Sequence, residues 1–136
     1  MEREKSCGAV IFKNEDDRTL VLLVKHNIGH WSFPKGHMKS SELEEETAIR
    51  EVNEEVGLDI VLDTGFRFVN TYNLQNGNVK DVIYFIGSPI SDNIIKQEEE
   101  IEDASWYYVD DAYDIITYDN DKEVLRKAWD YFRRED

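Results

Sequence analysis

Three glutamates and one arginine lie close together on a predicted helix, where their spacing could support chemistry. Arg50 is followed by Glu51, Glu54 and Glu55. Residues three and four positions apart share one face of an α-helix, so Glu51 lies beside both other acids. Like charges at this spacing destabilise a helix by roughly a few tenths of a kcal/mol per pair. The cluster is therefore expected either to face solvent or to bind cations.

Carboxylate oxygens at this density suit Mg²⁺ or Mn²⁺, whereas zinc prefers histidine and cysteine. Mg²⁺ usually takes a few carboxylates and completes its shell with water and substrate phosphates. The implied chemistry is metal-assisted attack of water on a phosphoryl group. The preceding loop would bring Lys35 and His37 to the start of the same helix. A merely solvated acidic face is the simpler alternative on acid content alone.

The spacing around this helix resembles the signature of Nudix hydrolases at every fixed position. Gly36 is followed after five residues by Glu42, and after seven more by the run of residues 50–58. Seven fixed residues at these intervals make a highly specific motif. On this motif the chain resembles members of the Nudix family.

The resemblance implies an α/β (α+β) fold, an α/β/α sandwich around a mixed β-sheet. It implies metal-dependent hydrolysis of a pyrophosphate bond in a nucleoside diphosphate linked to another group. Glu54, Glu51 and Arg50 would form the catalytic group, with Glu51, Glu54 and Glu55 as metal ligands. Arg50 would orient a glutamate through a charge-assisted hydrogen bond. Glu42 would be an outer hydrogen-bonding partner that supports the metal ligands.

Residues 30–37 and 80–85 resemble the asymmetric diadenosine tetraphosphate hydrolases within that family. The resemblance implies cleavage of diadenosine tetraphosphate (Ap4A) to ATP and AMP. Lys35, His37 and Lys80 would contact the phosphates, which suits a long anion. Tyr72 and Tyr118 would stack on a base, an interaction worth about 1–3 kcal/mol per base.

The same group places a further glutamate on a loop before a strand that carries a tryptophan. Glu100 lies six residues before Trp106 and is the choice for a fourth metal ligand or a base, with Glu99 and Glu102 as alternatives. The general base could be Glu51, Glu54 or Glu100.

Two other functions remain open at this point. A pyrophosphohydrolase of 5′-triphosphorylated RNA, nucleoside triphosphates or diphosphoinositol phosphates would need the same metal helix. A nucleotide-sensing Nudix module without turnover would be expected to have lost signature acids, and this sequence retains them.

Apolar periodicity predicts two helices. Ser41 with Glu44 forms a capping box for the first, and Gly57 would end it. Asn120 with Glu123 would cap the second, in which one apolar stripe is expected to be core; it consists of Val124, Leu125, Ala128, Trp129 and Phe132. The helices are expected on opposite faces of the sheet.

Short apolar runs predict the strands. Residues 7–12 and 20–24 would form a hairpin across a polar loop at 13–19. A second hairpin would follow the turn at 75–78. The remaining strand predictions are 31–34, 60–62, 65–74, 79–86 and 105–109.

Composition limits the class of protein. A length of 136 residues, 40% of them apolar, predicts a single domain over residues 1–136. A single cysteine, Cys7, excludes an internal disulfide. Residues 1–7 lack a signal-peptide stretch and no apolar run would span a membrane, so we expect a cytoplasmic protein.

The net charge is −14, which disfavours binding of long nucleic acids. The expected partner is a small nucleotide, with no membrane association. The oligomeric state is open between monomer and dimer.

Overall fold

The computed structural model describes residues 2–91 and 93–135. In chain order, the elements of this part are β1 (Arg3–Glu15), β2 (Arg18–His26), β3 (Trp31–Ser32), β4 (Lys35–His37), α1 (Glu44–Val56), β5 (Ile60–Asn73), β6 (Val79–Pro89), β7 (Ile101–Tyr108), α2 (Val109–Ile115) and α3 (Asp119–Glu135). In the described residues no helix is long and apolar enough to cross a membrane.

Strand β1 is the centre of a mixed sheet whose order is β3-β2-β1-β6-β5. Its residues 3–11 pair in parallel with β6, and its residues 12–15 pair in antiparallel fashion with β2. The short strand β4 pairs with β1, and β7 pairs with β2. The mixed sheet agrees with the predicted fold class.

Alternation along β1 explains the layers. Successive side chains of a strand point to opposite faces. Ala9 and Ile11 pack with Val52 and Val56 of α1 on one face. Val10 and Phe12 belong to the other cluster, whose α3 members are Val124, Leu125 and Ala128, packed with Trp129 and Phe132. The predicted stripe of α3 is therefore core, and the predicted α/β/α sandwich is confirmed.

Helix α1 starts later than the sequence indicated, and the Ser41–Glu44 capping box is wrong. The first cap residue is Leu43, whose backbone N–H donates to the carboxylate of Glu46 at 2.8 Å. Glu44 is inside the helix, where its carboxylate pairs with Arg67 of β5 at 2.8 Å. The side chain of Glu44, which the local motif assigned to the helix cap, therefore forms a long-range ion pair instead.

The predicted end of α1 at Gly57 is confirmed. Its φ of 73° lies in the left-handed region, and its N–H donates to the Asn53 carbonyl. A Cβ at this position would also come within 2.9 Å of the Ile95 side chain. Glycine is required here both by conformation and by close approach.

The first hairpin has a much tighter turn than predicted. The polar residues 13–15 and 18–19 continue the two strands, with Glu15 opposite Arg18. The turn is only Asp16 and Asp17, both at positive φ (51° and 66°). Two-residue hairpin turns need such angles, which aspartate tolerates better than most residues. Polarity alone had suggested a loop.

The second hairpin agrees with its predicted turn, where Gly77 has a φ of 87°. Its first strand is continuous in β5 rather than split, with a register irregularity between Asp63 and Phe68. Strand β6 continues to Pro89, three residues beyond the predicted end.

The end of the chain contains a helix that the sequence did not reveal. Residues 105–109 were expected to be a strand, but β7 ends at Tyr108 and Val109 begins α2. Asn120 is not the cap of α3, because the helix already begins at Asp119. The first helical N–H groups, of Asp121 and Lys122, donate to the Tyr118 carbonyl.

Leu125→Ala tests the α3 side of the core. Leu125 is fully buried in the cluster shared by β1, β2, β6 and α3. We expect the substitution to lower the free energy of unfolding by about 2–5 kcal/mol, measured by urea denaturation. Ile90→Ala, at a side chain that is 68% exposed, is the matched control and should change it little. Equal effects of the two would contradict the packing described.

Candidate active site

Arg50 of α1 holds the acids of the predicted site together. Its guanidinium donates to Glu42 at 2.6 and 2.9 Å, to Glu51 at 2.7 Å and to Glu54 at 3.1 Å. It also donates to the backbone carbonyl of His37 at 2.9 Å. One cation therefore links an acid that precedes α1 and two acids within the helix to strand β4, and it partly offsets the repulsion between the helical carboxylates.

Glu42 is fixed from three sides. Besides Arg50, it accepts hydrogen bonds from the Lys39 backbone N–H at 2.9 Å and the Thr47 hydroxyl at 3.0 Å. The hydrogen bond from Arg50 lowers the pKa of Glu42 to about 2, and the bond from Lys39 acts in the same direction. Glu42 is therefore ionised near neutral pH and anchors Arg50.

Glu55 is the buried member of the acid cluster. It is 3% exposed, and it accepts a hydrogen bond from the Lys35 backbone N–H at 3.1 Å. Burial raises the pKa of Glu55 to about 8, and the negative charges of Glu51 and Glu100 act in the same direction. Burial also raises the pKa of Glu51, against the opposing effect of Arg50.

Gly36 explains why the signature has a glycine before the helix. It lies in β4 opposite Cys7 of β1, and the carboxylate of Glu51 lies directly against it. A Cβ at this position would overlap the carboxyl carbon and oxygens of Glu51. Any side chain here would displace a predicted metal ligand.

The loop that carries Glu100 is tied to the same helix. The Gln97 backbone N–H donates to the Glu55 carbonyl at 2.8 Å, and the Asn27 N–H donates to the Glu100 carbonyl at 3.0 Å. The negative charge of Glu100 also contributes to the raised pKa of Glu51 and of Glu55. The structure thus brings Glu100 to the acid cluster, although it lies 45 residues from Glu55 in sequence.

The donor set fits a hard divalent cation. Glu51, Glu54, Glu55 and Glu100 supply only oxygens, the ligands that such ions prefer. Burying a carboxylate is costly, and the charge of Lys35 offsets this cost at Glu55 only in part, because the pKa is still raised. A bound cation would offset it further. Within residues 2–91 and 93–135, no group of three or more histidine, cysteine, aspartate or glutamate side chains is already arranged to hold a metal ion. Glu51 and Glu54 instead each direct one oxygen to Arg50.

Four of the five predicted substrate contacts line a single cleft of about 320 Å³. Lys35 and Lys80 lie in it together with Tyr72 and Tyr118. Burial and the nearby Lys35 lower the pKa of Lys80. The cleft therefore combines two neighbouring cations with two aromatic rings, a combination that suits a nucleotide.

His37 is not brought into that cleft. Its side chain is exposed and lines a shallow depression with Arg3 and Lys5. The contribution of His37 to the site is its backbone carbonyl, which Arg50 contacts. A backbone role of this kind leaves no signal in residue type.

Six residues that line the cleft were not predicted as substrate contacts: His30, Ser32, Asn73, Leu74, Val82 and Asp121. A signal existed for Asp121, which lies three and four positions before Val124 and Leu125, on the same helical stripe. It is only 4% exposed. An acid at a core position of an amphipathic helix is unusual and could have been singled out.

Comparison with known proteins agrees with these features. A family model described as the NUDIX domain matches residues 3–128. The chain is 31% identical to a rat protein named bis(5′-nucleosyl)-tetraphosphatase [asymmetrical], over 91% of this chain and 92% of the rat protein. It is 27% identical to an 8-oxo-(d)GTP phosphatase of Mycolicibacterium smegmatis, over 90% of this chain and 40% of that protein.

A crystal structure of a Caenorhabditis elegans Ap4A hydrolase binary complex has the same fold. It superimposes with a TM-score of 0.87 at 26% identity, covering 96% of this chain and 98% of that chain. The match extends well beyond the 23 residues of the signature, to the strands and helices that support it. On this agreement of motif, domain and fold, the chain belongs to the Nudix family of hydrolases, which act on pyrophosphate bonds.

Proposed function

We propose that this enzyme hydrolyses dinucleoside polyphosphates, with Ap4A cleaved to ATP and AMP. The observation that carries the proposal is the position of Lys35 between the acids and the cleft. Its backbone N–H donates to Glu55, and the residue also lines the cleft with Lys80 and the tyrosines. A chain of phosphates could extend from the acids past the lysines while its base lies against Tyr72 or Tyr118.

The relatives support the same substrate class. The rat protein and the C. elegans structure both carry names that specify hydrolysis of such a tetraphosphate. The M. smegmatis relative is named for a nucleoside triphosphate instead, and this supports triphosphate hydrolysis as the alternative. Analysis of the products from the two substrates separates these functions.

We propose Mg²⁺ as the physiological ion, with Mn²⁺ as a substitute, held by Glu51, Glu54, Glu55 and Glu100. When bound, the ion neutralises phosphate charge and lowers the pKa of water. Glu51, Glu54 or Glu100 would accept the proton of the attacking water. Arg50 orients Glu51 and Glu54 through its bonds to both, and so acts as a positioning residue. Lys35 and Lys80 would hold the phosphates in line.

Hydrolysis of Ap4A in ¹⁸O-water with Mg²⁺ tests the substrate and the position of attack. We expect equimolar ATP and AMP, with the label in only one of the two products, measured by mass spectrometry. Two ADP molecules would indicate symmetrical cleavage and contradict the proposal. No hydrolysis of Ap4A, together with rapid hydrolysis of a nucleoside triphosphate, would favour the alternative function.

Glu54→Gln and Glu55→Gln test the metal ligands. Each should lower kcat by at least about a hundredfold because an oxygen ligand loses its charge. The melting temperature should stay constant or rise, since repulsion within the cluster falls. Glu45→Gln, on the same helix but outside the cluster, is the control and should retain activity. Near-full activity of both variants with Mg²⁺ would exclude the assignment.

Gly36→Ala tests the close approach of Glu51 to β4. The added methyl group would overlap the Glu51 carboxylate. We expect kcat to fall at least about tenfold and the Mg²⁺ concentration for half-maximal activity to rise, since the ligand is displaced. Ser40→Ala, at an exposed position nearby, should change neither value. An unchanged Mg²⁺ dependence in Gly36→Ala would place the ion elsewhere.

A further inference from the structure

Asp121 at the start of α3 is one of two buried acids among the described residues; the other is Glu55 in the acid cluster. Its carboxylate accepts hydrogen bonds from the Ser32 hydroxyl at 3.0 Å and the Tyr72 hydroxyl at 3.3 Å. Burying a carboxylate costs free energy unless hydrogen bonds or charges offset the loss of water. Its position in an otherwise apolar stripe therefore calls for an explanation.

The partners of Asp121 come from both walls of the cleft. Tyr72 belongs to β5, and Ser32 ends β3, three residues before Lys35. Asp121 itself lines the cleft with these residues and Tyr118. Burial raises the pKa of Asp121, while its bond to Ser32 and the charge of Lys35 oppose this rise. The acid thus joins three separate chain segments at the cleft.

Tyr72 is held at its hydroxyl by two groups. The Asn70 side-chain amide donates to it at 3.3 Å, and it donates to Asp121. Asn70 also donates to the backbone carbonyl of Asn120 in α3 at 3.2 Å. These bonds tie the Tyr72 ring to the first turn of α3, immediately beside Tyr118. The Tyr72 hydroxyl is therefore fixed relative to the start of α3, and Tyr118 lines the same cleft.

We propose that Asp121 is a positioning residue for nucleobase binding: through Tyr72 it sets the width of the cleft between Tyr72 and Tyr118. This inference rests on the proposed function, because it takes the base to lie in that cleft. When the gap has a fixed width before binding, the tyrosine rings can stack on a base without first losing conformational freedom. The phosphate contacts of Lys35 and Lys80 do not require this bond.

A pair of ligands that differ only in the nucleoside isolates this role. ATP and inorganic tripolyphosphate carry the same phosphate chain, and only ATP carries a base. Binding of each in Mg²⁺ buffer is measured by calorimetric titration of the full chain. We expect Asp121→Ala to weaken ATP binding at least tenfold. It should not weaken tripolyphosphate binding, because the loss of a negative charge near Lys35 favours an anion.

Three further variants address the bond itself. Tyr72→Phe keeps the ring and removes only the hydroxyl, so it should weaken ATP binding in the same way. The double variant should lose little more than either single one, since both remove the same hydrogen bond. Asp121→Asn keeps a side-chain oxygen acceptor and should stay within about threefold of the unmodified protein. Glu123→Gln, at a partly exposed acid of the same helix that pairs with Arg126 and does not line the cleft, is the control.

Several outcomes would overturn the inference. Asp121→Ala could weaken the binding of both ligands equally, or leave the affinity for ATP unchanged. The losses in the double variant could be additive. The unmodified protein could also bind ATP and tripolyphosphate with equal affinity. If Asp121→Ala does not fold, Asp121→Asn and Tyr72→Phe still test the inference. An unchanged ATP affinity in Tyr72→Phe would exclude a positioning role for Asp121.

Steady-state kinetics separates this inference from the proposed function. With Ap4A, Asp121→Ala should raise KM at least tenfold and change kcat less than threefold. If Asp121 only stabilised the fold, Asp121→Ala would lower the melting temperature without raising KM selectively over kcat. Failure of the unmodified protein to cleave Ap4A would refute the proposed function, whereas the two binding titrations would still decide the role of Asp121.

Discussion

The acid cluster of α1 depends on one arginine that is itself held by an acid outside the cluster. Negative side chains at positions 51, 54 and 55 repel one another on adjacent turns. Arg50 contacts two of them, and Glu42 fixes Arg50 through a paired contact at 2.6 and 2.9 Å. Because Glu42 also accepts bonds from Lys39 and Thr47, the guanidinium has little freedom. The orientation of the carboxylates is therefore built into the protein itself.

The sheet supplies the other half of the site. Strand β1 carries β4 on one side of residues 6–8 and β6 on the other, so Gly36 and Lys80 are placed by the same strand. Helix α1 packs on one face of this sheet and α3 on the other. The acids thus come from one layer and the wall near Tyr118 from the opposite layer, with the strands between them as a common support.

Residues with local signals were predictable, and residues placed by distant contacts were not. The α1 acids, Gly57 and the Gly77 turn follow from spacing and backbone conformation, which neighbouring residues determine. The start of α1 was misplaced because Glu44 pairs with Arg67, 23 residues away. Polar residues 13–19 looked like a loop, since their pairing across the hairpin is not encoded in polarity. Asp121 had a signal in the α3 stripe, but its partners Ser32 and Tyr72 lie far away in sequence.

Lys35 serves the acids with its backbone and the cleft with its side chain. In the proposed site, a shift of this residue would alter cation affinity and phosphate recognition together, so changes within β4 cannot separate the two properties. Divergence toward other polyphosphates would have to proceed through the more distant parts of the pocket, on β5 and at the beginning of α3. The hydrolytic machinery can then stay constant while the choice of nucleoside changes.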